Sequence, residues 1–427
     1  MIDPDSAEQA ALLALLSARG SASSAELQAA LGRSQPTVSR LLAKLLPAPL
    51  VLGSGRSTRY ALPHGIHGAP AQHPLHWTHE DGRIEAWGRV SFLHGNQVHV
   101  HAAGIDLLVR DRLPWFMAPL RAEGFLGRLL ARRLAAYGLG DNPERWPLEH
   151  LLFAALQSTD APGALVLGEP QHLVPVTGSH DELADTVASS FPVGSSAGGE
   201  QAKFLSRRAD GQAVLVKFSP PRGSPFGIRW HALLHLEALA LVVLAEHGVP
   251  VAAARVVETA RRTYLESERF DRIGHLGRRH AVPLHAVHET FVAGPRQHWA
   301  DTCDALVRQR RLPTDAAAQV RAVMQFGRLI GNTDMHFGNL SLFVAPGEVA
   351  AGRFTLAPVY DMLPMRWRPD PQSGGFDHLP FEPMPLDLQS PARPVALEFW
   401  RRAAEHAALD AAMRQLAATM AQRLAVA

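Results

Sequence analysis

The stretch Gly331-Asn332-Thr333-Asp334-Met335-His336-Phe337-Gly338-Asn339 constrains this chain more than any other. It places an aspartate and an asparagine, Asp334 and Asn339, in a glycine-containing segment that follows an apolar run of helical spacing. A further aspartate follows in Ala357-Pro358-Val359-Tyr360-Asp361-Met362-Leu363. Taken alone, Asp334 and Asn339 also fit a turn in which each side chain satisfies nearby backbone groups. A chemical reading therefore needs further parts, upstream and in a fixed order.

Those parts are present. Phosphoryl transfer from a nucleotide uses one carboxylate to orient the attacking hydroxyl, and an amide oxygen with a second carboxylate to hold Mg²⁺. Asp334, Asn339 and Asp361 are of these types, and Asp334 to Asn339 has the D-x-x-x-x-N spacing of a protein-kinase catalytic loop. The DFG triplet is missing; Asp361-Met362-Leu363 would take its place. Val214 to Phe218 reads as a strand carrying Lys217, comparable to the V-A-I-K strand. A lone lysine there also fits a snorkelling or edge-strand residue. Trp230 to His247 has helical spacing, with Leu233, Leu236, Ala240 and Leu244 on one stripe. Glu237 in that helix can pair with Lys217 and aim the ammonium at phosphates, or stand as a solvated carboxylate. Ahead of the lysine, Gly194 to Lys203 is rich in Gly and Ser. Backbone N–H groups around Gly198 and Gly199 could face an anion; a flexible connector has the same composition. It is not a Walker A motif. Thr263 to Arg272 reads as a strand running into a hinge.

The segments Ser196-x-x-Gly199-x-x-x-Lys203, Glu268-Arg269-Phe270-Asp271-Arg272, Asn332-Thr333-Asp334-Met335-His336-x-x-Asn339 and Pro358-Val359-Tyr360-Asp361 resemble the HipA family of bacterial serine/threonine kinases, which includes toxins of toxin–antitoxin systems. The similarity runs from about Gly88 to the C-terminal helices. It implies a catalytic Asp334, Mg²⁺ ligands Asn339 and Asp361, and an ATP lysine at Lys217 paired with Glu237. It further implies nucleotide contacts from Ser196, Gly198, Gly199, Lys203 and His336, and adenine contacts from the backbone near Glu268 and Phe270. Autophosphorylation would fall on Ser196, with Ser195 as competitor. The implied cofactors are ATP and Mg²⁺, and the implied partner is a protein substrate such as an aminoacyl-tRNA synthetase or other translation component. One departure stands out: many members carry Lys directly before the loop Asn, and here that position is Gly338.

Length, 427 residues, suits two or three domains. A formal net charge of +2 compels no nucleic-acid partner globally, so such a signal has to be local. The single cysteine, Cys303, excludes an intramolecular disulfide and a Cys-rich zinc site and suits a reducing cytosol. No signal-like segment opens the chain, and no apolar run approaches about 18 residues. A cytoplasmic location without a membrane partner is expected. The 22 histidines are scattered, without H-E-x-x-H.

Residues 7 to 62 carry a separate local signal. Glu8 to Arg19 suits an amphipathic helix; Ser23-Ser24 caps a second helix ending at Gly32; Ser34-Gln35-Pro36 starts a third. That third helix would bury Val38, Leu41, Leu42 and Leu45. Leu50 to Leu52 and Thr58 to Leu62 then make a two-stranded wing around Gly53-Ser54-Gly55. The unit resembles a winged helix-turn-helix. Gln35, Thr37, Ser39, Arg40 and Lys44 would face a DNA major groove, and Arg56 and Arg59 on the wing would reach phosphates or the minor groove. The same fold also serves as a protein-interaction module.

The expected fold class is α+β, a bilobal kinase-like fold behind a winged helix-turn-helix. The expected layout is a DNA-binding domain at 1–63, a linker at 64–82, and a β-rich subdomain at 83–160 packed on the kinase N-lobe. An N-lobe at 161–273 and an all-α C-lobe at 274–427 complete it. A homodimer is compatible with this. The alternative is a transcription regulator whose kinase-like half senses nucleotide without transferring phosphate. A small-molecule kinase fits less well: aminoglycoside-type kinases lack a counterpart of Leu113 to Arg128, a segment that resembles the N-terminal subdomain of HipA kinases, and sugar-kinase regulators need a Cys-rich zinc motif.

Overall fold

The computed structural model describes residues 4–171, 178–190, 201–370 and 375–426. At the N-terminus, helices α1 (Pro4–Arg19), α2 (Ser24–Leu31) and α3 (Gln35–Lys44) pack on a three-stranded antiparallel sheet. Its strands are β1 (Ser21–Ser23), β2 (Leu50–Leu52) and β3 (Arg59–Ala61), in the order β1-β3-β2. Ser23 caps α2: its hydroxyl accepts from the Glu26 N–H while the Glu26 carboxylate accepts from the Ser23 N–H. Gly32, at φ 62°, closes that helix in the left-handed region. Pro36 in the first turn of α3 costs no hydrogen bond there. Leu12, Leu16 and Leu27 join Val38, Leu41, Leu42 and Leu45 in a core of this unit's own.

Next comes a five-stranded antiparallel sheet of β4 (Gln72–Thr78), β5 (Ile84–Leu93), β6 (Gln97–Ala102), β7 (Ile105–Arg110) and β8 (Leu165–Leu167), in the order β7-β6-β5-β4-β8. Two helices, α4 (Gly124–Arg133) and α5 (Leu148–Gln157), come between β7 and β8 in the chain. This corrects the expected layout in two places. Residues 64–82, read as a linker, supply strand β4. Residues 165–167, assigned to the N-lobe, supply the strand that closes the sheet beside it. Pro74 lies within β4, and proline in a strand argues against a strand when only sequence is read.

A second antiparallel sheet, ordered β11-β12-β10-β9, contains β9 (Lys203–Arg207), β10 (Ala213–Phe218), β11 (Ala254–Glu258) and β12 (Thr263–Glu268). Helix α6 (His180–Ser189) packs on it, and Leu183, Phe204, Val214, Val216, Phe218 and Tyr264 form its small core. Between β10 and β11 runs α7 (Pro225–Glu246), with Leu233, Leu236, Ala240 and Leu244 buried as their spacing predicts. Among the described residues α7 is long and apolar enough to cross a membrane by length and composition, which corrects the expectation that no such run exists. Burial inside the fold accounts for 72% of its apolar window.

A short hairpin, β13 (Arg272–Ile273) with β14 (Gly277–Arg278), leads into β15 (Ala281–Pro283), α8 (Leu284–Phe291), α9 (Trp299–Arg308) and α10 (Thr314–Leu329). Then follow β16 (Ser341–Phe343), β17 (Thr355–Leu356), α11 (Pro385–Leu388), α12 (Arg393–Glu405) and α13 (Ala411–Val426). The C-terminal half is therefore not all-α: β15, β16 and β17 make a three-stranded sheet. Strands of two or three residues are too short to show alternation in sequence.

The subdomain of the five-stranded sheet touches the N-lobe, through α4 against β9 and Asp160 against Arg269 and Arg272, and it also packs on the C-terminal half. Its core is continuous with that of the C-terminal helices. Trp115 meets Phe291 and Phe354 edge-on, at 5.4 and 5.2 Å between centroids. His280 bonds the Phe116 carbonyl at 2.9 Å. Large aromatics on both sides of this seam bury apolar area there.

Candidate functional site

Lys217 is where three elements converge. In β10 the pattern Val214, Val216, Phe218 faces the core of the small sheet, so strand alternation turns Lys217 to the opposite face, toward α7. There its Nζ donates to both Glu237 oxygens, at 2.7 and 2.8 Å, and to Asp361 Oδ1 at 2.5 Å. Lys217 and Glu237 are buried and Asp361 half-buried. Burial would lower Lys217; Asp361 and Glu237 outweigh it and hold the ammonium well above the usual lysine range. Burial raises Glu237 from the ordinary carboxylate range against the pull of Lys217. Burial acts in the same direction on Asp361, but Lys217 and then Lys203 hold it low. Lys203, half-buried in β9, lies directly across the sheet from Lys217.

The residues of the loop at 331–339 come next. Helix α10 ends at Leu329, and Gly331, at φ 77°, turns the chain out of it. A side chain there would press on the Trp367 ring, 2.9 Å from the position of its Cβ. Asn332 Oδ1 accepts from the Asp334 N–H at 2.9 Å, and Asn339 Nδ2 donates to the Asp334 carbonyl at 2.9 Å. The second bond uses the Asn339 amide nitrogen and leaves its oxygen as the atom able to accept a cation. Burial, helped by Asp361 and opposed by His336, raises the Asp334 carboxyl from the ordinary aspartate range. Asp361 itself is held at φ 56°, a region costly for a residue with a Cβ. Tyr360, just before it, donates its hydroxyl to the Gly338 carbonyl at 2.7 Å, which ties the two loops together. The exposed His336 accepts from the Gly338 N–H at 3.0 Å through Nδ1. A Cβ on Gly338 would stand 2.9 Å from that ring, so the fold-back suits glycine.

Lys217, Glu237, Asp361, Asn339 and Asp334 are thus gathered in one place. Their oxygens suit a hard divalent cation: a carboxylate and an amide, with no nitrogen or sulfur donor required. Lys217 beside them suits an anionic phosphate.

The expected hinge departs in part. The Glu268 N–H donates to the Ala253 carbonyl at 2.8 Å, and that of Arg269 to Ala213 at 3.0 Å. These main-chain donors are committed to the protein, and the Glu268 carboxylate holds Arg208 at 2.5 Å. The Phe270 ring packs 5.4 Å from that of Tyr360, so it borders the same place. Arg269, Asp271 and Arg272 are buried and form an ionic cluster with Asp160, with contacts of 2.6 to 3.0 Å. Burial would raise Asp271; Arg269 and Arg272 hold it far below the usual range. The Arg-Phe-Asp-Arg segment therefore anchors the hinge to the end of the five-stranded sheet. Ser195, Ser196, Gly198 and Gly199 lie outside the described residues.

Sequence reasoning missed Asn332 and Tyr360. Asn332, two positions before Asp334, fits an Asx-turn and was legible in principle. Tyr360 gave no signal, because its partner carbonyl lies 22 positions away.

On the N-terminal unit, Gln35, Ser39, Arg40 and Lys44 are exposed along α3, and Arg56 is exposed on the wing. Thr37 is half-buried and bonds the Ser34 hydroxyl at 3.1 Å. Arg59 is committed elsewhere: it donates to the Ser21 hydroxyl and carbonyl at 3.2 and 3.1 Å and pairs with Glu26. It ties β3 to β1 instead of facing outward.

Comparison with known proteins gives three results. Residues 195–427 match the model of the HipA-like C-terminal domain, and residues 69–173 match that of the YjjJ-like toxin, middle domain. The second span contains all five strands of the five-stranded sheet. The chain is similar to the toxin YjjJ of Escherichia coli K12, 33% identical over 433 residues and covering 95% of each protein. In fold it is similar to a chain of the Shewanella oneidensis complex of HipA, HipB and operator DNA. That match has a TM-score of 0.51 at 17% identity, over 83% of this chain and 96% of the other.

Proposed function

The chain belongs to the HipA-like toxin family, and on that premise we propose that it is an ATP- and Mg²⁺-dependent serine/threonine protein kinase with a DNA-binding N-terminal domain. One observation carries the reading: a single buried ammonium, Lys217, joins Glu237 of α7 to Asp361, beside the loop that holds Asp334 and Asn339. Side chains far apart in sequence meet in the order that nucleotide phosphoryl transfer uses.

Bound ATP supplies the phosphoryl group and Mg²⁺ neutralises its charge. Lys217 holds phosphate oxygens, and Glu237 keeps it aimed. Asn339 and Asp361 would hold the cation through oxygen. Asp334, with its carboxyl shifted toward neutrality by burial, accepts or orients the proton of the attacking hydroxyl. Main-chain groups near Phe270, other than the committed N–H of Glu268, would hold adenine. The protein target belongs by family analogy to the translation machinery. Phosphate on Ser196, or Ser195 in its place, would repel nucleotide and switch the kinase off. The N-terminal unit is read as a winged helix-turn-helix that lays α3 in the major groove, with Gln35, Ser39, Arg40 and Lys44 outward.

A second reading has the kinase-like half bind nucleotide without transfer. Gly338, which replaces a cation before Asn339, favours it. Equilibrium binding of ATP with and without Mg²⁺ tests the shared part. Wild type should bind ATP more tightly with Mg²⁺, and Asp361→Asn should lose that Mg²⁺ dependence. Equal Mg²⁺ dependence in both proteins would rule out Asp361 as a ligand.

A further inference from the structure

Helix α7 carries a second group of donors, six and two positions before Glu237 and outside the nucleotide site. His231 and His235 stand one helical turn apart, and Glu258 reaches them from the end of β11. One donor atom from each lies within 4.8 Å of the others. We propose that His231, His235 and Glu258 form a site for a borderline transition-metal ion, Zn²⁺ being the fitting case.

The donor chemistry selects the ion. Two imidazoles and one carboxylate suit Zn²⁺ over Mg²⁺ or Ca²⁺, which take oxygen. Three protein donors leave a fourth position open. Each donor is already oriented. His231 Nε2 lies 2.9 Å from the Ala408 carbonyl, so that nitrogen carries the proton and Nδ1 keeps its lone pair. Nδ1 now accepts from the Thr263 hydroxyl at 2.7 Å. A backbone carbonyl behind a ligating imidazole is the usual way its tautomer is fixed. His235 is over nine-tenths buried, and its Nε2 sits 2.9 Å from Glu258 Oε1. Arg222 holds the other Glu258 oxygen and also donates to Thr263. The rings of His231 and His235 meet edge-on at 4.6 Å, and that of His406 adds a further imidazole 5.2 Å from His235.

Binding uses the Nε2 lone pair of neutral His235, so its single ring proton moves to Nδ1 and the metal takes the place of the hydrogen bond to Glu258. Tetrahedral Zn²⁺ holds its donors roughly 3.3 Å apart. The donors therefore close by about 1.5 Å at most, within reach of side-chain rotation. The ion would pin α7 to β11 and, through Ala408, to the segment after α12. It would steady the helix that presents Glu237. The site itself does not depend on the kinase reading.

The test uses the full chain, freed of any affinity tag and stripped with chelator, titrated with Co²⁺ as a coloured probe and then with Zn²⁺. The expected result is one equivalent of Co²⁺ with the intense visible absorption of four-coordinate cobalt, displaced by Zn²⁺. His235→Gln should weaken binding about 100-fold or more, with circular dichroism showing the fold intact. His231→Gln, at a less buried position, serves if His235→Gln does not fold. Asp361→Asn should keep the intense four-coordinate Co²⁺ absorption, whatever it does to cation binding at the nucleotide site, which separates the two sites. No saturable binding, a weak six-coordinate spectrum, or equal binding by wild type and both histidine variants would overturn the proposal.

Discussion

Lys217→Met isolates the energetics of the site. Methionine keeps the length of the apolar stem and removes the ammonium that now makes three short contacts with Glu237 and Asp361. Two carboxylates are left facing one another without a bonded ammonium between them, with Lys203 across the sheet as the nearby cation. The fold can limit the damage by protonating Glu237, the deeper of the two. Its ordinary value is 4.5. At about pH 7.5 protonation costs about 1.36 kcal/mol for each of three pH units, or about 4 kcal/mol. That ceiling agrees with the ~3–5 kcal/mol lost when one partner of a buried pair is removed. At about pH 5.5 the ceiling falls to about 1.4 kcal/mol. The sign follows from linkage. In the variant Glu237 is protonated when folded and ionised when unfolded, so relative stability falls as pH rises above 4.5. Native-state amide exchange along β10 and α7, at both pH values and against wild type, reads the opening free energy directly. A loss that does not change with pH, or one under about 1 kcal/mol at the higher pH as for a surface pair, would refute the buried three-way contact.

Two further outcomes concern the ends of the proposal. Ser196→Ala should abolish the autophosphorylated species, read by intact mass, without abolishing ATP binding; phosphate that persists would move the site to Ser195 or elsewhere. Binding to DNA from the protein's own promoter should weaken steeply with salt, and removing Arg40 should lower the slope of log affinity against log salt by about 1. Affinity indifferent to salt would leave the N-terminal unit a protein-interaction module.

Where a local rule and the tertiary structure agreed, the sequence could be read. The burial of Leu233, Leu236, Ala240 and Leu244 followed from helical spacing. The Lys217–Glu237 pair followed from the order of strand and helix. Strand β4 was hidden because Pro74 and the surrounding Pro/Gly composition spoke for a connector, while pairing with β5 and β8 decided otherwise. Arg59 looked like a cation for phosphate until the sheet placed Ser21 and Glu26 beside it. Arg269, Asp271 and Arg272 were noticed as a motif, yet their partner Asp160 lies more than a hundred positions upstream, beyond any periodicity. Non-local ion pairs of this kind are specified by the fold and leave no spacing signal.

The central claim is that these gathered side chains move a phosphoryl group. Incubating the full chain with Mg²⁺ and γ-³²P-ATP, wild type beside Asp334→Asn, tests it most directly. Asparagine keeps the shape of Asp334 and leaves its backbone bonds to Asn332 and Asn339 in place. The account predicts label on wild-type protein and essentially none on the variant, with both folded and both binding ATP. Equal labelling of the two, or a wild type that binds ATP and transfers nothing, would contradict it.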